Sequence, residues 1–379
     1  MKNTIYSLLL FCFTSTFTFA QGYQLPNYQR VKLPNGLTVY LMEQKEVPLI
    51  SVSAIVPAGA IYDGDKSGLA SLTATALQHG TKNMTKSQLD EEVDFIGANI
   101  NTYSSKESAG LTAAFAAKDK EKMLGIIRDV LLNPTFDADE FEKEKKRLLV
   151  NLEQQKESPR GVLPSYFDKM MYGNHVYGNV VQGQKSTVEN LTVQDIKTFY
   201  ANNYQADGSA IAVVGDFNLA EMKVTLTKLF GEWKKGSKPT SDLAAQKIQQ
   251  PKEANVLLIN KDDARETTFY IGSPGISRNN PDYIAIDVIN TLFGGRFTSM
   301  LNDELRVNSG LTYGARSNFS ALKNGGTFAI STFTANKTTE AAIDKALEVL
   351  DNLHKNGIDE KSLTSAKNYV KGCLLYTSR

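Results

Sequence analysis

Hydrophobic and polar residues alternate along residues 31–43 (VKLPNGLTVYLME), and the alternation breaks at Asn35-Gly36. A period of two with an Asn-Gly break predicts a β-hairpin, because that pair accepts the positive φ that a tight turn needs. Residues 49–57 (LISVSAIVP) are rich in β-branched side chains and predict a second strand. The spacing turns helical over residues 68–79, with Asp65 or Ser67 available to cap the start and Gly80 to end it. A helix over 86–96, strands over 98–103 and 110–116, and helices over 119–132 and 137–157 follow. The last two carry charge along one face.

The same order then recurs. Residues 326–333 (GTFAISTF) repeat the character of residues 110–116 (GLTAAFA), residues 338–353 that of 119–132, and residues 359–371 the start of 137–157. This predicts an internal duplication of about 200 residues per copy, too long and too few-fold for a solenoid. Each copy is expected to be an α+β unit, with helices on a mainly antiparallel sheet. Between them, residues 234–251 (KKGSKPTSDLAAQKIQQP) are polar and turn-rich, which is a linker composition. The expected domains are therefore residues 29–233 and 252–372, the second of them incomplete.

Composition sharpens this picture mainly by exclusion. With 42 Lys+Arg against 41 Asp+Glu the formal net charge is +1, which argues against a nucleic-acid binder. Charged residues make up 22% and hydrophobic ones 41%, ordinary for a folded chain. Three histidines (His79, His175, His354) and two cysteines (Cys12, Cys373) cannot build a Cys-rich zinc site or a disulfide scaffold. Residues 1–20 (MKNTIYSLLLFCFTSTFTFA) have the positive start, apolar middle and small-residue end of a cleavable export signal. The mature chain is expected to be periplasmic, with no membrane span after cleavage. Residues 373–379 (CLLYTSR) differ from what precedes them and read as a non-native tail.

The strings LPNGLTVYLME, GLASLTATALQHGT, YGNHVYG, IKTFYANNY and VVGDF, then RNNPDYIAIDVINTLFGGRFTSMLNDELR and GLTYGARSNF, occur in that order. Through them the chain resembles the pitrilysin/insulinase family of zinc metallopeptidases over nearly all of residues 29–372. The resemblance implies half of a clamshell built from two homologous domains. In active members the helix before the Gly-Thr pair carries His-x-x-Glu-His. Histidines at i and i+4 share a helix face and hold one metal, and the glutamate activates the bound water. Counting back from Gly80-Thr81, those positions here are Ser71, Ala74 and Thr75. The family's third ligand, a glutamate on the later long helix, aligns through Pro159 with Asn151, with Glu144 and Glu153 nearby. Hydroxyls are poor zinc ligands and a methyl group is no base, so this chain is expected to bind no metal and to cleave nothing alone.

A second family motif is kept. Arg306 and Tyr313 stand seven residues apart in LNDELRVNSGLTYGARSNF. The resemblance implies a pair that reaches across the chamber and holds substrate backbone near the zinc of the first domain. A guanidinium offers several fixed donors to a carbonyl or oxyanion, and a phenol one more. The bland alternative is that Arg306 pairs with Asp303 or Glu304 and Tyr313 packs a strand. FGGRF (residues 293–297) lacks the ending of a phosphate loop and reads as a helix-to-helix turn. Residues 140–147 (EFEKEKKR) read as a solvated face, His79 as a polar helix end, His175 as structural, and His354 as a cation at a helix C-terminus.

The expected function is that of the zinc-less, substrate-binding subunit of an exported heterodimeric peptidase. Its partner would be a homologous zinc-bearing subunit and its ligands unfolded or extended peptides. A peptide-binding or assembly protein of the same fold, and a zinc peptidase with relocated ligands, are the alternatives.

Overall fold

The Asn35-Gly36 turn forms as the alternation predicts. β1 (Gln29–Lys32) pairs antiparallel with β2 (Thr38–Glu43), Val31 opposite Val39, with Gly36 at φ 94°. The buried Asn35 ties this turn to distant chain, its amide donating to the carbonyls of Phe230 at 2.8 Å and Trp233 at 3.1 Å. The computed structural model describes residues 26–236 and 245–377. The expected export signal, residues 237–244 of the expected linker and the last two residues of the tail lie outside the described residues.

β3 (Leu49–Val56) alternates strictly, with Ile50, Val52, Ala54 and Val56 inside. With β4 (Asn99–Ser104), β5 (Ala109–Ala116) and β6 (Ala210–Gly215) it builds a six-stranded sheet in the order β1-β2-β6-β3-β5-β4. Every neighbouring pair is antiparallel except β2 and β6, so the sheet is mainly antiparallel as expected. Its apolar side is covered by α1 (Leu69–Ala76), α2 (Lys86–Phe95), α3 (Lys120–Leu132) and α4 (Ala138–Gln155), all close to their expected spans. α3 shows why: Met123, Leu124, Ile126, Ile127, Val130 and Leu131 recur on one face and are all buried. Each such side chain contributes about 1.5–3 kcal/mol of burial free energy. The charged run 140–147 forms i,i+3 pairs along α4, with Phe141 alone turned to the core. α5 (Pro159–Tyr172), α6 (Val193–Asn203) and α7 (Leu219–Phe230) complete the first unit, α6 lying across α1.

The duplication is visible in the topology. β7 (Glu266–Gly275), β8 (Arg316–Leu322) and β9 (Gly325–Ala335) form a sheet ordered β7-β9-β8, the counterpart of β3-β5-β4, with α8 (Tyr283–Asn290) following β7 in the chain. A 3-10 turn then leads into α9 (Thr339–Asn356) and α10 (Glu360–Thr377), as one leads from β5 into α3 and α4. Two π-helical turns lie between α8 and β8: Thr291–Gly295, which continues α8, and Asp303–Asn308. FGGRF straddles the end of the first of them, the helix-to-helix turn expected of it. His354 is exposed in the last turn of α9.

α5 joins the units. Phe167 meets Tyr270 edge-on at 5.3 Å, and the Arg160 guanidinium sits 3.6 Å above the Phe333 ring. Ile61, Tyr172 and Tyr177 are packed by Ile248 and Leu322. The expected linker is therefore docked at its far end: the Gln246 carbonyl lies 3.1 Å from His175 Nε2, and His175 Nδ1 accepts from Tyr177 N–H. His175 is structural, as expected.

Candidate functional site

α1 is where the first-domain chemistry of the resemblance would sit. Its start is organised from upstream: the Asp63 carboxylate accepts from Gly68 N–H at 2.9 Å and from Ala70 N–H at 2.8 Å. Neither Asp65 nor Ser67 caps it, contrary to the sequence reading. A 3-10 turn (Ala60–Tyr62) folds the chain back so that Asp63 lands on the helix end, while Ser67 Oγ donates to the Val180 carbonyl instead. Asp63 is 4% exposed. Burial pushes its carboxyl up to about 7, against the two N–H donors that pull it down. The ordinary value is 3.8, so between about pH 4 and pH 7 the folded chain keeps a proton that the unfolded chain releases. Stability is then expected to fall across that window as pH rises, by a few kcal/mol at most, and to level off above it. Urea denaturation at pH 5 and pH 8 measures this. Asp63→Asn should flatten the slope and cost about 1–2 kcal/mol, because its NH2 would face an N–H.

Ser71 and Thr75 are the half-exposed positions of α1, one turn apart, and Ala74 is 1% exposed. The Thr75 hydroxyl donates back to the Ser71 carbonyl at 3.1 Å. α4 packs against α1, with Asn151 exposed on it. Glu153 is drawn to Lys156 and Lys185, whose hydrogen bonds hold its carboxyl below the usual range. Glu144 pairs with Arg147. The donor set therefore does not fit zinc: two hydroxyls, a methyl and a carboxamide stand at the positions that the resemblance implies, and the neighbouring glutamates are held by cations. Among the described residues no three His, Cys, Asp or Glu side chains converge closely enough to hold a metal.

His79 closes the helix, as expected, its N–H donating to the Ala76 carbonyl at 3.1 Å. It is 4% exposed, with Nδ1 lacking a hydrogen-bond partner. Burial holds its pKa below the ordinary value. It lines an open cleft of about 620 Å³ with Thr81, Lys86, Thr135, Glu140 and Lys143, and this cleft includes none of Ser71, Ala74, Thr75 or Asn151.

The second-unit pair is presented to solvent. Arg306, half-buried on the second π-helical turn, lays its guanidinium 4.6 Å from the centre of the Phe297 ring. It makes no ion pair with Asp303 or Glu304 among the described residues; Glu304 instead accepts from the Asn308 amide at 3.0 Å. Tyr313 is 83% exposed and packs no strand. Its loop is nonetheless fixed. Thr334 Oγ1 donates to the Leu311 carbonyl at 2.6 Å, Thr332 Oγ1 to Thr312 Oγ1 at 3.0 Å, and Ala315 N–H to Asn302 Oδ1 at 2.9 Å. Tyr313 is thus an exposed phenol on a pinned loop, and Arg306 a cation seated on an exposed ring. Phe297, the seat of Arg306, was missed in the sequence. Its only signal was an aromatic, now 70% exposed, inside a turn motif.

Two family models and many known proteins match this chain. The family described as Insulinase (Peptidase family M16) matches residues 38–185, and that described as Peptidase M16 inactive domain matches residues 190–370. The "Uncharacterized zinc protease YmxG" of Bacillus subtilis is 22% identical over 348 residues, covering 92% of this chain and 83% of that one. The "Probable mitochondrial-processing peptidase subunit beta" of Schizosaccharomyces pombe is 25% identical over 274 residues, 71% of this chain and 59% of that one. The solved structure of a peptidase M16 inactive domain from Pseudomonas fluorescens superposes with a TM-score of 0.83 at 27% identity, covering 91% of this chain and 84% of that chain.

Proposed function

As the chain belongs to the insulinase family, peptidase family M16, we propose that it is the zinc-less, substrate-binding subunit of a heterodimeric peptidase. One contrast carries this reading: the positions that the resemblance assigns to the metal hold Ser71, Ala74, Thr75 and Asn151, while Arg306 remains, half-buried, and Tyr313 remains, exposed. A chain that had simply decayed would have no reason to keep both residues of the second motif. Arg306 would donate to a peptide carbonyl, and to the oxyanion as it forms, with Tyr313 adding one donor. The hydrolytic water and its base would belong to a homologous, zinc-bearing partner. That the relatives include a named subunit of a processing peptidase supports a division of this kind. The leader of residues 1–20 supports export, with the periplasm as destination.

Co-expression with a zinc-bearing homologue from the same genome tests the proposal. The two chains should co-purify, and peptide hydrolysis should require both. Failure to co-purify with any such homologue, alongside peptide binding by this chain alone, would favour the peptide-binding or assembly alternative.

A further inference from the structure

β4 is an outer strand of the six-stranded sheet, with β5 on one side only. The backbone N–H and C=O groups on the other side of such a strand are open to any extended chain. Here part of that edge is already taken. Gln78, in the turn that ends α1, points its carboxamide at β4, 2.9 Å from Thr102 Oγ1. Oriented so that both ends are satisfied, its Oε1 accepts from Thr102 N–H at 3.2 Å and from the Thr102 hydroxyl at 2.9 Å. Its Nε2 then donates to the Ile100 carbonyl at 3.3 Å. One acceptor and one donor, set against residues two apart on a strand, are what a single residue of an added strand would present. α1 packs along β4, and the Gly80 turn at φ 110° fixes where Gln78 leaves the helix.

We propose that Gln78 is a latch that closes the β4 edge at Ile100 and Thr102 against strand addition by an extended peptide. The side chain imitates one residue of bound backbone, so a peptide joining β4 has to displace it first. Peptide capture at this edge is thereby weakened, and the proposed contact through Arg306 and Tyr313 is left open. The inference rests on the reading of the chain as a peptide-binding subunit, but its test does not.

Two measurements on the full chain decide it. In Gln78→Ala, amide exchange over residues 100–104 should quicken about tenfold, because Thr102 N–H loses its acceptor. Gln78→Glu, which keeps an acceptor but cannot donate to Ile100, should fall between. In the same Gln78→Ala protein, a fluorescein-labelled Lys-(Thr-Val)4-Lys peptide should bind about tenfold more tightly than to wild type, with the gain confined to protection of residues 99–104. Unchanged exchange in Gln78→Ala overturns the latch, and so does faster exchange without tighter peptide binding. Neither measurement involves a partner subunit, so the latch and the heterodimer reading fail separately.

Discussion

Replacing Arg306 by alanine is expected to lower kcat/KM of the proposed two-subunit peptidase about 100-fold while leaving the melting temperature of this chain within about 1 °C. The magnitude follows from the chemistry. A guanidinium that gives charge-assisted hydrogen bonds to a carbonyl or oxyanion is worth about 2–3 kcal/mol, and each 1.4 kcal/mol is a factor of ten. The thermal neutrality follows from the geometry, since among the described residues Arg306 bonds to no carboxylate, and it rests on an exposed ring. Tyr313→Phe removes one neutral donor and should cost about tenfold. Phe297→Ala leaves the cation in place without its seat, and about two- to fivefold is expected from a cation–π contact of about 0.5–1 kcal/mol. Steady-state hydrolysis of a fluorogenic peptide gives all three. Equal activity of wild type and the Arg306→Ala/Tyr313→Phe double variant would remove the clamp from the proposal.

The second large effect concerns the metal. The quadruple variant S71H/A74E/T75H/N151E is expected to retain about one zinc through dialysis, whereas the wild type retains none. The wild-type melting temperature should not respond to zinc. The variant should behave differently, because Ala74 lies in the core at 1% exposure. A glutamate there puts a carboxylate out of water, at a cost of several kcal/mol unless a cation or a hydrogen bond meets it. Without metal the variant should therefore melt well below wild type, and zinc at about 1,000 times its dissociation constant should return about 4 kcal/mol. Differential scanning calorimetry with and without zinc, paired with elemental analysis, reads both halves. A wild-type chain that holds stoichiometric zinc after dialysis would contradict the account of its first helix.

Much of the fold was legible in the sequence because the relevant forces are local. The Asn35-Gly36 turn, the alternation of β3 and the one-sided apolar face of α3 are written in windows of a dozen residues, and each element formed close to its expected place. The duplication was legible too, since the strand, 3-10 turn and helix pattern of β5 and α3 recurs in β9 and α9. The candidate site was legible only in its residue types. That Ser71, Ala74 and Thr75 are no metal site is a statement about side-chain chemistry, which needs no coordinates. That Arg306 is free of Asp303 and Glu304, while Tyr313 stands clear on a braced loop, is a statement about neighbours. Sequence spacing left both readings open.

What the sequence alone determined is the set of local elements, their repetition and the loss of zinc donors, because backbone propensity and side-chain chemistry belong to each residue where it stands. The tertiary structure decided which partners those residues meet. It chose Asp63 over Asp65 and Ser67 to hold the start of α1, buried His79, set Phe297 beneath Arg306, laid Gln78 on the edge of β4 and paired β2 parallel to β6. Each of these is a contact between groups whose approach is fixed by how the chain folds back on itself, and no local window of sequence contains that path.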